Sequence, residues 1–165
     1  MVVNNTFGLP PRSREPPLRP NTLIQHPDGG YAFGTVPNTL PHGLPGGDIY
    51  LKFGVHRGPR NGFVIAHIWE AHKGDLDKLG YTQQQDIVRY VANIIGVGAL
   101  IYCEFSSMRN PRLAVLKSSV GLLIVEHRPL REVPLAYSVI TAYPRRQAHG
   151  TLIGKIEKAP WKGAF

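Results

Sequence analysis

The stretch from Arg112 to Tyr143, RLAVLKSSVGLLIVEHRPLREVPLAYSVITAY, decides the fold class. Its apolar residues come in short runs: RLAVLK at 112–117, VGLLIVE at 120–126 and LAYSVITAY at 135–143. These runs are rich in the branched and aromatic residues that suit a pleated surface. Ser118-Ser119 and Arg128–Pro134 separate them by hairpin-sized gaps, so the strands are expected to run antiparallel as a meander. Upstream, ALIYCEF at 99–105 reads as one more strand, joined through Ser106–Pro111, and DIYLKFG at 48–54 as a possible fifth.

Between Arg60 and Asn110 there is no proline, and the period there changes to that of a helix. FVIAHIWEAHK (63–73) sets Ile65, Ile68, Trp69 and His72 at i, i+3, i+4 and i+7, one stripe of a helix that Gly74 is expected to stop. Thr82, with Gln85 three residues on, has the form of a capping box. The helix that follows, 83–95, gathers Ile87, Val88, Val91, Ile94 and Ile95 on one face and ends at Gly96 and Gly98. The sequence therefore predicts an α+β fold, with N-terminal helices packed on one face of a four- to five-stranded antiparallel sheet.

Outward from this region the composition shifts. Ten of the 15 prolines precede residue 60, and LPPRSREPPLRP at 9–20 can hold neither a helix nor a central strand. Residues 1–47 read as a Pro/Gly-rich leader or linker, partly ordered after about residue 20, and 48–165 as the folded domain. The leader carries Arg12, Arg14 and Arg19 against Glu15 and Asp28, so of the net charge of +8 only +1 belongs to it and +7 to the domain. A basic domain favours polyanions or acidic proteins as partners. The single cysteine excludes an intramolecular disulfide framework and a Cys-rich zinc module. Cys103, in the middle of an apolar strand, reads as a small core residue rather than a nucleophile. No apolar run is long enough to span a bilayer, and there is no P-loop, GxGxxG, HExxH or GxSxG pattern. No metal or cofactor is expected.

What remains for chemistry is histidine with basic and hydroxyl residues. His67 and His72 lie five residues apart, about 140° around a helix, too far round for the adjacent pair that a helical zinc site prefers. RNA cleavage without a metal needs a base for the 2′-OH, an acid for the leaving 5′-oxygen, and donors for the charge that builds on phosphorus. Histidine suits the first two roles. His56, His67, His72, Arg112, Lys117, Thr141, Tyr143 and Arg145 supply the inventory, with Thr141 and Tyr143 expected on one strand face together with Tyr137 and Val139.

GDIYLKFGVHRGPRNGFVIAHIWEAHKGDL, followed by RLAVLKS and YSVITAYPRRQAHGTLIGKI, resembles the C-terminal toxin domains of contact-dependent inhibition and related polymorphic toxin systems, and more broadly the barnase–EndoU–colicin–RelE ribonuclease superfamily. The resemblance covers about two thirds of the chain. It implies a metal-independent endoribonuclease, often acting on tRNA, that leaves a cyclic phosphate. It also implies carriage at the end of a larger exported polypeptide, delivery into the cytoplasm of a target bacterium, and neutralisation by an immunity protein, expected to be acidic. By position it places catalytic roles on His67, His72, Arg112, Thr141 and Tyr143, and substrate binding on Lys52, His56, Lys117 and Arg145. Two other readings stay open from the residues: a non-catalytic RNA- or DNA-binding module, and a delivered toxin with other chemistry, such as NAD degradation or ADP-ribosylation.

Overall fold

The computed structural model describes residues 22–53, 64–105 and 112–157. Its elements in chain order are β1 (Ala32–Val36), a 3₁₀ turn (Leu40–His42), β2 (Gly47–Tyr50), α1 (Val64–Lys78), α2 (Asp86–Ile94), β3 (Leu100–Cys103), β4 (Arg112–Lys117), β5 (Gly121–His127), β6 (Ala136–Tyr143) and β7 (Thr151–Lys155). The expected hairpin linker 106–111 and the leader up to residue 20 lie outside the described residues.

The strands form one sheet in the order β1-β2-β6-β5-β4-β3-β7. From β6 to β3 it is the antiparallel meander that alternation and short loops dictate. The expected class does not hold, however. Among the described residues the sheet has seven strands, not four or five, and it is mixed, because β2 runs parallel to β6. It also curls into a half-barrel, and two short helices make a minor share of a mostly β structure. Two strands account for much of the error. β1 stands among the Pro and Gly of residues 21–47, and β7 (TLIGK) shows only an intermediate to exposed burial pattern, so neither displays a clear alternation. These two are the sheet's edges, and they approach each other: Glu157, just past β7, gives its backbone N–H to the Thr35 carbonyl of β1 at 3.0 Å. That approach requires Gly34. A Cβ there would lie 2.6 Å from Ile95 Cγ2 and 3.0 Å from Ile156 Cγ2.

α2 packs Ile87, Tyr90, Val91 and Ile94 against β4 and β5, and α1 packs Ile65, Ile68 and Leu76 beside β6 and α2. Both helices join one core with Phe33, Ile49, Ile101, Leu113, Val115, Leu123, Val125, Tyr137 and Val139. Burial of each such side chain contributes about 1.5–3 kcal/mol. Cys103 is also in this core, and burial raises its thiol pKa, as befits an inert residue.

The helix ends differ from expectation. Gly74 does not stop α1, since glycine inside a helix costs about 1 kcal/mol against alanine but leaves the hydrogen-bond ladder intact. The stop is Gly80, at φ +90°, where Tyr81 N–H reaches Leu76 O and Gly80 N–H reaches Asp77 O in a Schellman turn. Nor does the Thr82/Gln85 box form. The Asp86 carboxylate accepts the N–H groups of Thr82 and Gln83 at 2.9 and 3.0 Å, and α2 starts at Asp86. An ionised carboxylate is a stronger acceptor than a hydroxyl or an amide. No helix among the described residues is long and apolar enough to cross a membrane.

Candidate functional site

The register of the central strands sorts their side chains into two faces. Leu113, Val125 and Val139 are aligned across β4, β5 and β6, as are Val115, Leu123 and Ala142, and all are buried in the core or against it. The alternate positions form the second face. One row there runs Arg112, Glu126, Ser138, Tyr50, the next Ala114, Ile124, Thr141, and the third Leu116, Leu122, Tyr143.

A bulge in β6 makes this arrangement possible. Val139 pairs with Val125 and Thr141 with Ile124, so Ile140 is an extra residue with no partner of its own on β5. Strict alternation would set Thr141 and Tyr143 on the face of Tyr137 and Val139, as the sequence predicts. The extra residue turns them over, and they share a face with Ser138 while Val139 and Tyr137 face the core. A one-residue shift always exchanges the two faces of a strand.

Two polar groups occupy the second face. The first surrounds Tyr143. The His72 ring meets the Tyr143 ring edge-on, with centroids 5.4 Å apart, and the Arg145 guanidinium lies 5.1 Å from the same ring's centroid. Burial lowers the His72 pKa; Asp75 opposes the shift, while His67 and Arg145 add to it, so the imidazole is neutral near pH 7. His72 reaches this place because it continues the buried Ile65–Ile68 stripe, one turn before Leu76. His67, on the same helix, is exposed and within electrostatic range of His72. Thr141, one row from Tyr143, is buried, and its Oγ1 has no hydrogen-bond partner. A neutral base, two donors and a cation are thus gathered from α1, β6 and the turn after β6.

The second group surrounds Glu126, whose side chain is only 6% exposed. Arg112 gives its Nε–H to Oε1 at 2.7 Å, and Arg128 gives Nη2–H and Nε–H to Oε2 at 2.6 and 3.1 Å. Burial alone would raise the Glu126 pKa, but the hydrogen bonds and charges of Arg128 and Arg112 outweigh it and hold the carboxyl below its usual range. Lys52 completes the group: burial and then the neighbouring Arg128 charge lower its amine pKa.

The expected site residues therefore divide. His72, Tyr143 and Arg145 come together, with Thr141 one row away, while His67 is within electrostatic range of His72 but makes no ring contact with the group. Arg112 belongs to the Glu126 group, two rows or about 13 Å of strand away, and Lys52, two residues past Tyr50 of that row, is within electrostatic range of Arg128. Lys117 joins neither: its Nζ lies beside Gly96, where a cation complements the C-terminal end of α2. His56 is outside the described residues. Glu126, Arg128 and Ser138 escaped the sequence reading, although a signal for Glu126 was present. Folding RLAVLK onto VGLLIVE about the short turn sets Arg112 opposite Glu126, a charge pair on an otherwise apolar hairpin. No family model, no curated protein and no solved structure matches the chain.

Proposed function

We propose that this chain is an RNA endonuclease of the delivered-toxin kind, working without a metal ion. One observation carries the reading: His72 from a helix and Tyr143 and Arg145 from the far end of the sequence meet at one point of the second sheet face, with the unpaired Thr141 hydroxyl beside them. The neutral His72 imidazole takes the proton of the 2′-OH, whose oxygen then bonds to phosphorus. Arg145 and the Thr141 hydroxyl donate to the charge on the phosphorane, and their placement before the reaction is what makes such donors effective. Tyr143 is the shared surface on which His72 and Arg145 are held. As the bond from phosphorus to the 5′-oxygen breaks, His67 returns a proton to the leaving oxygen, giving a 2′,3′-cyclic phosphate and a 5′-OH. The +8 net charge suits a polyanionic substrate, and equally an acidic immunity protein that would cover the same face.

Incubating the folded protein with total tRNA in EDTA tests this directly. The expected outcome is discrete fragments that carry cyclic-phosphate and 5′-OH ends. Intact tRNA, with a native circular-dichroism spectrum from the same sample, overturns the proposal.

A further inference from the structure

The Glu126 group takes no part in the chemistry assigned to His72, and its construction needs its own explanation. A carboxylate with a 6% exposed side chain is held by two guanidiniums whose side chains are 67% and 53% exposed. The buried member is the anion, and the members that face water are the cations. Arg112, Arg128 and Lys52 against Glu126 leave a surplus of positive charge, and Lys52 is crowded by Arg128. Toward Glu126, Arg112 uses only its Nε–H, so the fork of its terminal nitrogens is not engaged there. Taking a carboxylate out of water offsets much of what its ion pairs gain, so net stability alone does not account for burying it. Beside Glu126 in the same row is Ser138, 4% exposed, whose Oγ has no hydrogen-bond partner. A buried unsatisfied hydroxyl is costly to keep.

We infer that Arg112 and Arg128, oriented by Glu126 and supplemented by Lys52, form a second phosphate subsite, which binds a backbone phosphate of the RNA strand a few nucleotides from the bond cut at His72. This rests on the ribonuclease reading for its substrate. Guanidinium forks match phosphate oxygens two at a time. The two groups lie on one sheet face about 13 Å apart along the strands, a distance that a few nucleotides of single strand span. Glu126 is a positioning residue here, fixing both arginines before a ligand arrives. Toward Glu126, Arg128 uses Nε and Nη2, so its Nη1 is not engaged there and is left for the phosphate while the ion pair stays in place.

The test is binding of a 2′-O-methyl RNA decanucleotide, which keeps every phosphate but lacks the nucleophile, measured by fluorescence anisotropy over a range of salt concentrations. Arg128→Ala is expected to weaken binding about tenfold, the value of one charge-assisted contact. It should also reduce the slope of log K against log salt by about 0.7, the loss of one phosphate contact on a single strand. Arg128→Lys keeps the charge without the fork and should fall between. Arg89→Ala removes the same charge from the Tyr81 face of α2 and should cost less than about twofold. No binding by the wild type, or equal losses for Arg128→Ala and Arg89→Ala, overturns the inference. The two readings fail separately. Intact tRNA with the Arg128 effect present removes the ribonuclease but keeps the subsite. Cut tRNA with Arg128→Ala indistinguishable from wild type removes the subsite and keeps the ribonuclease.

Discussion

The two halves of β6 make an instructive contrast. From Ala136 to Ser138 the strand is paired on both sides, to β2 and to β5, and the charges it meets are fixed: a carboxylate held ionised by two arginines. From Thr141 to Tyr143 the parallel partner has ended, α1 packs against the strand, and the polar neighbour is an imidazole whose pKa burial lowers. The bulge at Ile140 lies between the halves and keeps both on the same face. Full pairing accompanies a row of fixed ion pairs, while the place vacated by β2 lets a helix bring a titratable group to the sheet.

Adding a residue behind the bulge should break this contrast most severely. An alanine inserted after Ile140, with the bulge kept, reverses the facing of the later positions, driving Thr141 and Tyr143 toward the core and Ala142 out of it. We expect a loss of about 4 kcal/mol or more, read as a collapse of the urea midpoint. Deleting Ile140 leaves Val139 opposite Val125 and Thr141 opposite Ile124 in plain alternation, keeps every face and should cost far less. If the insertion melts like the deletion, the β5 register does not set the orientation of the strand.

The second test separates the halves by pH. His72→Gln should lower tRNA cleavage by about 10²–10⁴-fold, the usual worth of a positioned base. It should also alter how stability depends on pH. His72 has a lowered pKa when folded, so below the ordinary imidazole value of about 6.5 the unfolded chain binds a proton that the native chain does not. Stability therefore falls as pH drops from about 6.5 toward the depressed folded value. Glu126 acts in a lower window. Its stabilisation is present above the ordinary carboxyl pKa of about 4.3 and is lost as pH falls through its own depressed value. Urea unfolding of the wild type and of His72→Gln between pH 7.5 and 5.5 should show the upper fall in the first protein and a smaller one in the second. Parallel curves would mean that His72 is not desolvated.

These contrasts also mark what the sequence could reveal. The four strands of the meander were legible because each buries one face, and burial writes a period of two. His72 was legible because it continues the Ile65–Ile68 stripe. β1 and β7 were not, since edge strands with little one-sided burial write no such period, and the mixed, curled sheet follows from where they pair. The parallel match of β2 to β6 joins residues some ninety positions apart with no local mark on either strand. The bulge was hidden for a related reason: VITAY reads equally well in either phase until the β5 register fixes which residue is extra. The ion group around Glu126 was half visible, since the hairpin pairing gives Arg112 opposite Glu126, but Arg128 lies past the strand end, where no periodicity reaches.

The smallest effect in the series is the most discriminating, because it pits stability against function at a single atom. Thr141 Oγ1 is buried with no hydrogen-bond partner, one row from Tyr143. If the hydroxyl only fills space, Thr141→Val, which keeps the shape and replaces the oxygen by a methyl group, relieves the cost of an unsatisfied buried donor. The variant should then gain about 1 kcal/mol, visible as a rise in Tm of a few degrees. If the hydroxyl also donates to the phosphorane, the same change should slow cleavage by about 10²-fold, as the loss of one such donor does elsewhere. We expect both: a protein that melts higher and cuts more slowly. Thr141→Ser restores the hydroxyl without the methyl group, and should recover rate while giving back the gain in stability. A valine variant that is more stable and fully active would remove Thr141 from the site and leave Arg145 as the sole donor to the phosphate.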